Sequence, residues 1–182
     1  MTMEQIRAYA AAHAEEARQL TEALCRIPAP SGQELARAEF CKAWLERYGA
    51  KDVRIDGADN MVLELNAADS DALTVLMAHT DTVFPDTEPM EVRREGGRLL
   101  CPGVGDDTAN LAVLLLAARF LLEQGISPKH GLLPGGDVGG ADRRRGALRE
   151  GATAAGGRAG AGCRARPAGA VAAVPDQLKV ER

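Results

Sequence analysis

The sequence predicts an α/β fold. Three observations carry this expectation: two opening segments with apolar residues at helical spacing, short runs of branched residues after them, and a glycine-bearing loop that leads into an apolar helix. The expected arrangement is a partial layer sandwich over residues 1–130, a mixed sheet flanked by helices. A disordered tail is expected over residues 131–182.

Thr2 and Gln5 have the spacing of a capping box, and Ile6, Tyr9, Ala10, Ala17, Leu20 and Leu24 follow at helical intervals as far as Pro28. One first helix is expected there. Ser31 and Glu34 repeat the spacing and predict a second helix through Phe40, Trp44 and Leu45, stopping at Gly49. IPAPSG joins the two as a rigid turn. The period then changes, and VRI at 53–55, MVLEL at 61–65 and LTVLMAH at 73–79 read as strands. The last is apolar on both faces, as in a central strand covered by helices. Residues 90–100 read as a hairpin about Gly96 and Gly97. Gly103-Val-Gly-Asp-Asp107 then introduces an apolar helix ending near Gly125.

Composition changes near His130. Residues 131–182 contain 12 of the 20 glycines and eight arginines, but no Phe, Tyr, Trp, Ile, Met, Asn, Ser or His. Nine basic and five acidic side chains give this tail +4, so the net charge of −4 leaves −8 on residues 1–130. An acidic front without clustered Lys, Arg and stacking rings does not suggest a nucleic-acid groove. The basic tail reads as a solvated coil. No run reaches the roughly 18 apolar residues of a membrane helix. Charges at Glu4, Arg7, Glu15 and Glu16 interrupt any signal-peptide core, so a cytoplasmic location is expected. The four cysteines lack CxxC spacing and are expected as reduced thiols.

His79 and Asp81 stand two residues apart at the end of a strand, so both side chains leave one face, where α/β sheets place ligands. Neutral histidine is a common zinc ligand, and a nearby carboxylate can fix its tautomer. The simpler reading of this pair alone is two solvated strand-end residues. Asp106 and Asp107 enter a helix where paired carboxylates can share a divalent ion. Capping the helix would account for one of them. GVGDD is not a phosphate loop, because its carboxylates repel the anion. His13, on the exposed side of the first helix, and His130, in a loop, are expected to be solvated. Cys101 is expected to pack, and Arg143 to Arg145 to be a solvated run.

IPAPSG after the first helix, a strand ending in MAHTDTV, and GVGDDTAN opening an apolar helix together resemble the zinc exopeptidases. That family includes peptidase T, acetylornithine deacetylase, succinyl-diaminopimelate desuccinylase and aminoacylase. The resemblance covers residues 1–130. It implies that His79 ligates one zinc, that Asp81 orients this histidine in a catalytic role, and that Asp106 bridges two zinc ions. Asp107, Thr108 and Asn110 occupy places that vary in the family, so Asp107 is carried over only as a loop residue. The implied reaction is metal-dependent hydrolysis of the amide bond in a peptide or N-acyl amino acid. The family also uses a Glu-Glu pair, a further carboxylate and a late histidine. None can be placed here, since Glu150 and Glu181 stand singly and no histidine follows His130. The inserted dimerisation domain is absent too. The chain is therefore expected to be truncated and inactive as given. The alternative is a non-enzymatic α/β module that binds a cation or a partner protein.

The tail reads as an out-of-frame translation, because Gly, Ala, Arg and Pro dominate it, as they do in a G+C-rich gene read in the wrong frame; the alternative is a late-spliced or truncated variant whose tail is selected for its own role. Gly139 and Gly140 each precede a codon beginning with G. Both therefore read as GNG, which includes Glu, when translation starts from the second base. Sequencing the gene is expected to show Glu-Glu codons in that frame, followed by an acidic ligand and a histidine. Absence of those codons, or early closure of the frame, would refute the expectation.

Overall fold

The computed structural model describes residues 2–66, 72–128 and, as backbone, 131–137. Its elements are α1 (Met3–Ala12), α2 (Ala14–Cys25), α3 (Leu35–Arg47), β1 (Val53–Ile55), β2 (Met61–Leu63), β3 (Leu73–His79), β4 (Arg93–Glu95), β5 (Arg98–Leu100), α4 (Ala109–Glu123) and β6 (Gly131–Asp137). The sheet runs in the order β1-β2-β6-β3. The β1–β2 and β2–β6 pairs are antiparallel, whereas β3 and β6 run parallel, so the sheet is mixed as expected.

At the N-terminus the Thr2 hydroxyl accepts from the Gln5 N–H, and the Gln5 side chain accepts from the Thr2 N–H, which completes the predicted capping box. The single first helix of the sequence reading is instead two helices that meet at His13. His13 is half-buried, not solvated. Its ring stacks on Tyr9 with centroids 3.9 Å apart, and its Nδ1 lies 2.8 Å from the Tyr9 carbonyl. A side chain that bonds the preceding turn competes with the helical pattern there.

The core joins Leu20 and Leu24 of α2, Cys41, Trp44 and Leu45 of α3, Met61 and Leu63 of β2, and Leu111, Leu115 and Leu116 of α4. The apolar helix α4 packs on α2, α3 and β3, which explains why its sequence is hydrophobic beyond a single stripe. The hairpin forms as expected, with Gly96 and Gly97 at φ 54° and 77°, values that L side chains rarely adopt.

Two expectations change. β3 ends the sheet order among the described residues, and Val75, Leu76 and Met77 remain 40, 41 and 43% exposed. Apolar character on both faces therefore did not report a strand covered on both sides, because hydropathy records what a side chain tolerates and not what lies against it. The sequence division at Gly131 also falls where the backbone continues as β6 through Asp137. Strand pairing uses main-chain groups, so a glycine-rich segment can fill the slot between β2 and β3. The rest of the predicted tail, 138–182, and His130 lie outside the described residues. Among the described residues no helix is long and apolar enough to cross a membrane.

Leu115 is 1% exposed at the centre of the core, and Val113 on the same helix is 48% exposed. Leu115→Ala is expected to cost about 2–5 kcal/mol of unfolding free energy. Val113→Ala should change it by no more than about 0.5 kcal/mol. Urea titration followed by the fluorescence of the sole tryptophan, Trp44, checks both.

Candidate metal centre

The site lies beyond the C-terminal end of β3, where three segments converge: residues 79–82, the turn at 28–33 and the turn at 103–108. The first two are fastened through backbone. The Thr82 N–H donates to the Ala29 carbonyl at 2.7 Å, and Pro30 and Thr82 form a parallel bridge. Arg37 of α3 reinforces this join from beneath. It has no exposed surface, and its guanidinium donates to the Thr80 carbonyl at 2.8 Å and to the Ile27 carbonyl at 2.6 Å. Burial pushes its pKa down, while the surrounding cysteines and Asp81 oppose that shift.

The third segment is held by close contact. Gly103 has φ 72°, and a Cβ there would stand 2.9 Å from Cγ2 of Thr82. Only glycine lets the two turns approach this closely without displacement. The Asp106–Asp107 peptide that follows is cis.

These joins bring the sequence-predicted residues together. His79 Nδ1 lies 3.0 Å from Asp81 Oδ1, and also 3.0 Å from the Asp81 carbonyl. On the other side of the ring, His79 Nε2 lies 3.2 Å from Asp106 Oδ1. Asp81 is buried, whereas the Asp106 side chain is 98% exposed and stands open to a ligand. Burial by itself pushes the His79 pKa down. The Asp106 hydrogen bond and the charges of Asp107 and Asp81 outweigh burial, so the pKa is raised above its ordinary value.

Neither aspartate of the glycine loop caps α4, whose N-cap is Thr108 and receives no side-chain bond. Asp107 does something the sequence did not reveal. Its Oδ2 accepts from the His79 N–H at 3.1 Å, and its Oδ1 accepts from Asn110. Ser31 is likewise not a cap, because α3 starts at Leu35 with Glu34 in the cap position. The Ser31 hydroxyl donates to Asp81 Oδ2 at 2.5 Å, and Glu34 Oε1 instead accepts from the Gly32 N–H at 2.6 Å. As a cap the Ser31 oxygen would accept from a helix N–H, whereas here its hydroxyl donates to a carboxylate, a charge-assisted bond. Local spacing could not have named Asp81 as the partner, since it lies fifty residues away.

Cys25 and Cys41 are buried, and burial pushes both thiols up to about 12, which agrees with packing roles. Cys101 is half-buried, and burial raises its thiol too.

Two donors bound to one tetrahedral zinc at about 2.1 Å stand roughly 3.4 Å apart. The 3.2 Å between His79 Nε2 and Asp106 Oδ1 suits a shared cation in place of the shared proton. No cluster of three such ligands is found among the described residues.

The comparisons with known proteins point to metallopeptidases as what this chain is similar to. Residues 75–133 match the model of peptidase family M20/M25/M40. It is 36% identical over 115 residues to a [LysW]-lysine hydrolase of Deinococcus radiodurans, a match covering 63% of this chain and 30% of that protein. Among solved structures, a tripeptidase from Staphylococcus aureus is 25% identical with a TM-score of 0.54, covering 69% of this chain and 36% of the other. Human carnosine dipeptidase 1, 16% identical with a TM-score of 0.58, shares the fold over 74% of this chain and 34% of its own. The chain thus spans about a third of the length of these relatives.

Gly103→Ala places a methyl group against Thr82 and forces a left-handed alanine. It is expected to lower stability by about 1–2 kcal/mol, read as a fall in the urea midpoint followed through Trp44. An unchanged midpoint would show that the 103–108 turn is not held by this contact.

Proposed function

We propose that the end of β3 is the first half of a two-zinc centre in a hydrolase of peptide or N-acyl amino acid amide bonds. The observation that carries this reading is the facing of His79 Nε2 and Asp106 Oδ1 at 3.2 Å, with Asp81 behind the opposite ring nitrogen. Three carboxylates around one imidazole make the site a trap for positive charge, and the names of the tripeptidase and the lysine hydrolase support amide substrates.

In this reading His79 presents Nε2 as a ligand, and Asp81 holds the proton on Nδ1, which fixes the tautomer and strengthens the ring as a donor. Asp106 would hold metal through its exposed carboxylate. Asp107 keeps the His79 backbone in place through its N–H. When bound, zinc would supply Lewis acidity, lowering the pKa of water and polarising the amide carbonyl. A cytoplasmic location is part of the same reading.

His79 and Asp106 are two protein ligands where a catalytic zinc commonly has three, and no general base stands beside them among the described residues. The chain alone is therefore expected to bind Zn²⁺ weakly, to lose that binding in His79→Ala, and to hydrolyse neither dipeptides nor N-acyl amino acids. Calorimetry with Zn²⁺ and an amine-release assay check this. Tight binding of two ions, or turnover abolished by His79→Ala, would contradict the incomplete site.

A further inference from the structure

Asp81 is buried, and its two carboxylate oxygens have separate partners. Oδ1 lies 3.0 Å from His79 Nδ1, and Oδ2 accepts from the Ser31 hydroxyl at 2.5 Å. The terminal torsion of an aspartate is broad and roughly two-fold, so one bond through Oδ1 does not fix the plane of the group. A second anchor on Oδ2 does. Ser31 is suited to supply it, because its turn is tied to the same strand end by the Thr82 N–H to Ala29 carbonyl bond and the Pro30–Thr82 bridge.

We infer that Ser31 is a positioning residue for the metal-facing imidazole. Its hydroxyl locks the Asp81 carboxylate so that Oδ1 receives the Nδ1 proton and Nε2 is left directed at Asp106. The inference rests on the reading of His79 as a metal ligand. A competing acceptor sharpens it, since the Asp81 carbonyl also lies 3.0 Å from Nδ1. If that carbonyl alone held the ring, Ser31 would be dispensable.

The test uses the full chain carrying Ser31→Ala, Ser31→Thr, Asp81→Ala and the Ser31→Ala/Asp81→Ala pair. Ser31 is exposed, so its variants should fold, and thermal unfolding confirms that they do. Outer-shell partners typically contribute 10–100-fold to metal affinity. Ser31→Ala is expected to weaken Zn²⁺ binding by about tenfold, at the low end of that range, and Ser31→Thr to restore it. In the Asp81→Ala background Ser31→Ala should change nothing further, as for two residues acting through one contact. Without metal, the ¹⁵N signal of His79 Nδ1 should move in Ser31→Ala and return in Ser31→Thr.

An Nδ1 signal that does not move in Ser31→Ala overturns the inference, as does a loss of affinity that persists in the Asp81→Ala background. Zn²⁺ binding that survives His79→Ala sinks the metal reading instead, and the metal-free ring signal then still decides whether Ser31 holds Asp81.

Discussion

A guanidinium without exposed surface stays charged in a protein interior only where acceptors replace water, since desolvating an ion costs several kcal/mol. Arg37 meets that condition at its two terminal nitrogens with the carbonyls of Ile27 and Thr80, while its Nε is buried without a partner. Bonds from a charged donor are each worth about 1.5–3 kcal/mol. Their location matters more than their sum. Ile27 opens the turn after α2, and Thr80 sits between His79 and Asp81, so one side chain on α3 fixes the spacing between the two segments that build the site. The Thr82 bond to Ala29 joins the same two segments through main chain, and Gly103, lacking a side chain, lets the 103–108 turn lie against Thr82.

Within that frame the polar groups are arranged around one imidazole. Asp81 and Asp106 face its two nitrogens, and Asp107 takes its backbone N–H. Like charges gathered this closely repel one another, and a cation relieves that repulsion. On one side Ser31 and Arg37 bond Asp81 and the Thr80 carbonyl, whereas Asp106 is open to solvent. Rigid on one side and exposed on the other is the geometry a ligand site needs, because the donors then change little when the ion arrives.

Much of this was legible in the chain because the signals are local. The Thr2 and Gln5 capping box, the strands at 53–55 and 73–79, the hairpin at Gly96 and Gly97, and the apolar helix after the glycine loop all depend on neighbours within a few residues. The same locality misled at Ser31 and Glu34. Their spacing matches a cap, but the hydroxyl donates to a carboxylate fifty residues away. The break between α1 and α2 was hidden because His13 leaves the helical spacing of apolar residues intact.

The sequence by itself determined the α/β class, the resemblance to the zinc exopeptidases, and the side chains that gather at the end of β3. These follow from residue type and spacing, which survive without coordinates. Only the tertiary structure decided that Asp107 secures the backbone of His79, that Ser31 serves Asp81, that Arg37 clamps two turns, and that β3 keeps exposed apolar surface. The physical reason is that each of these depends on which acceptor or surface is nearest in space. Hydrogen bonds and packing act over a few ångströms, and the fold brings residues that are far apart in sequence within that reach.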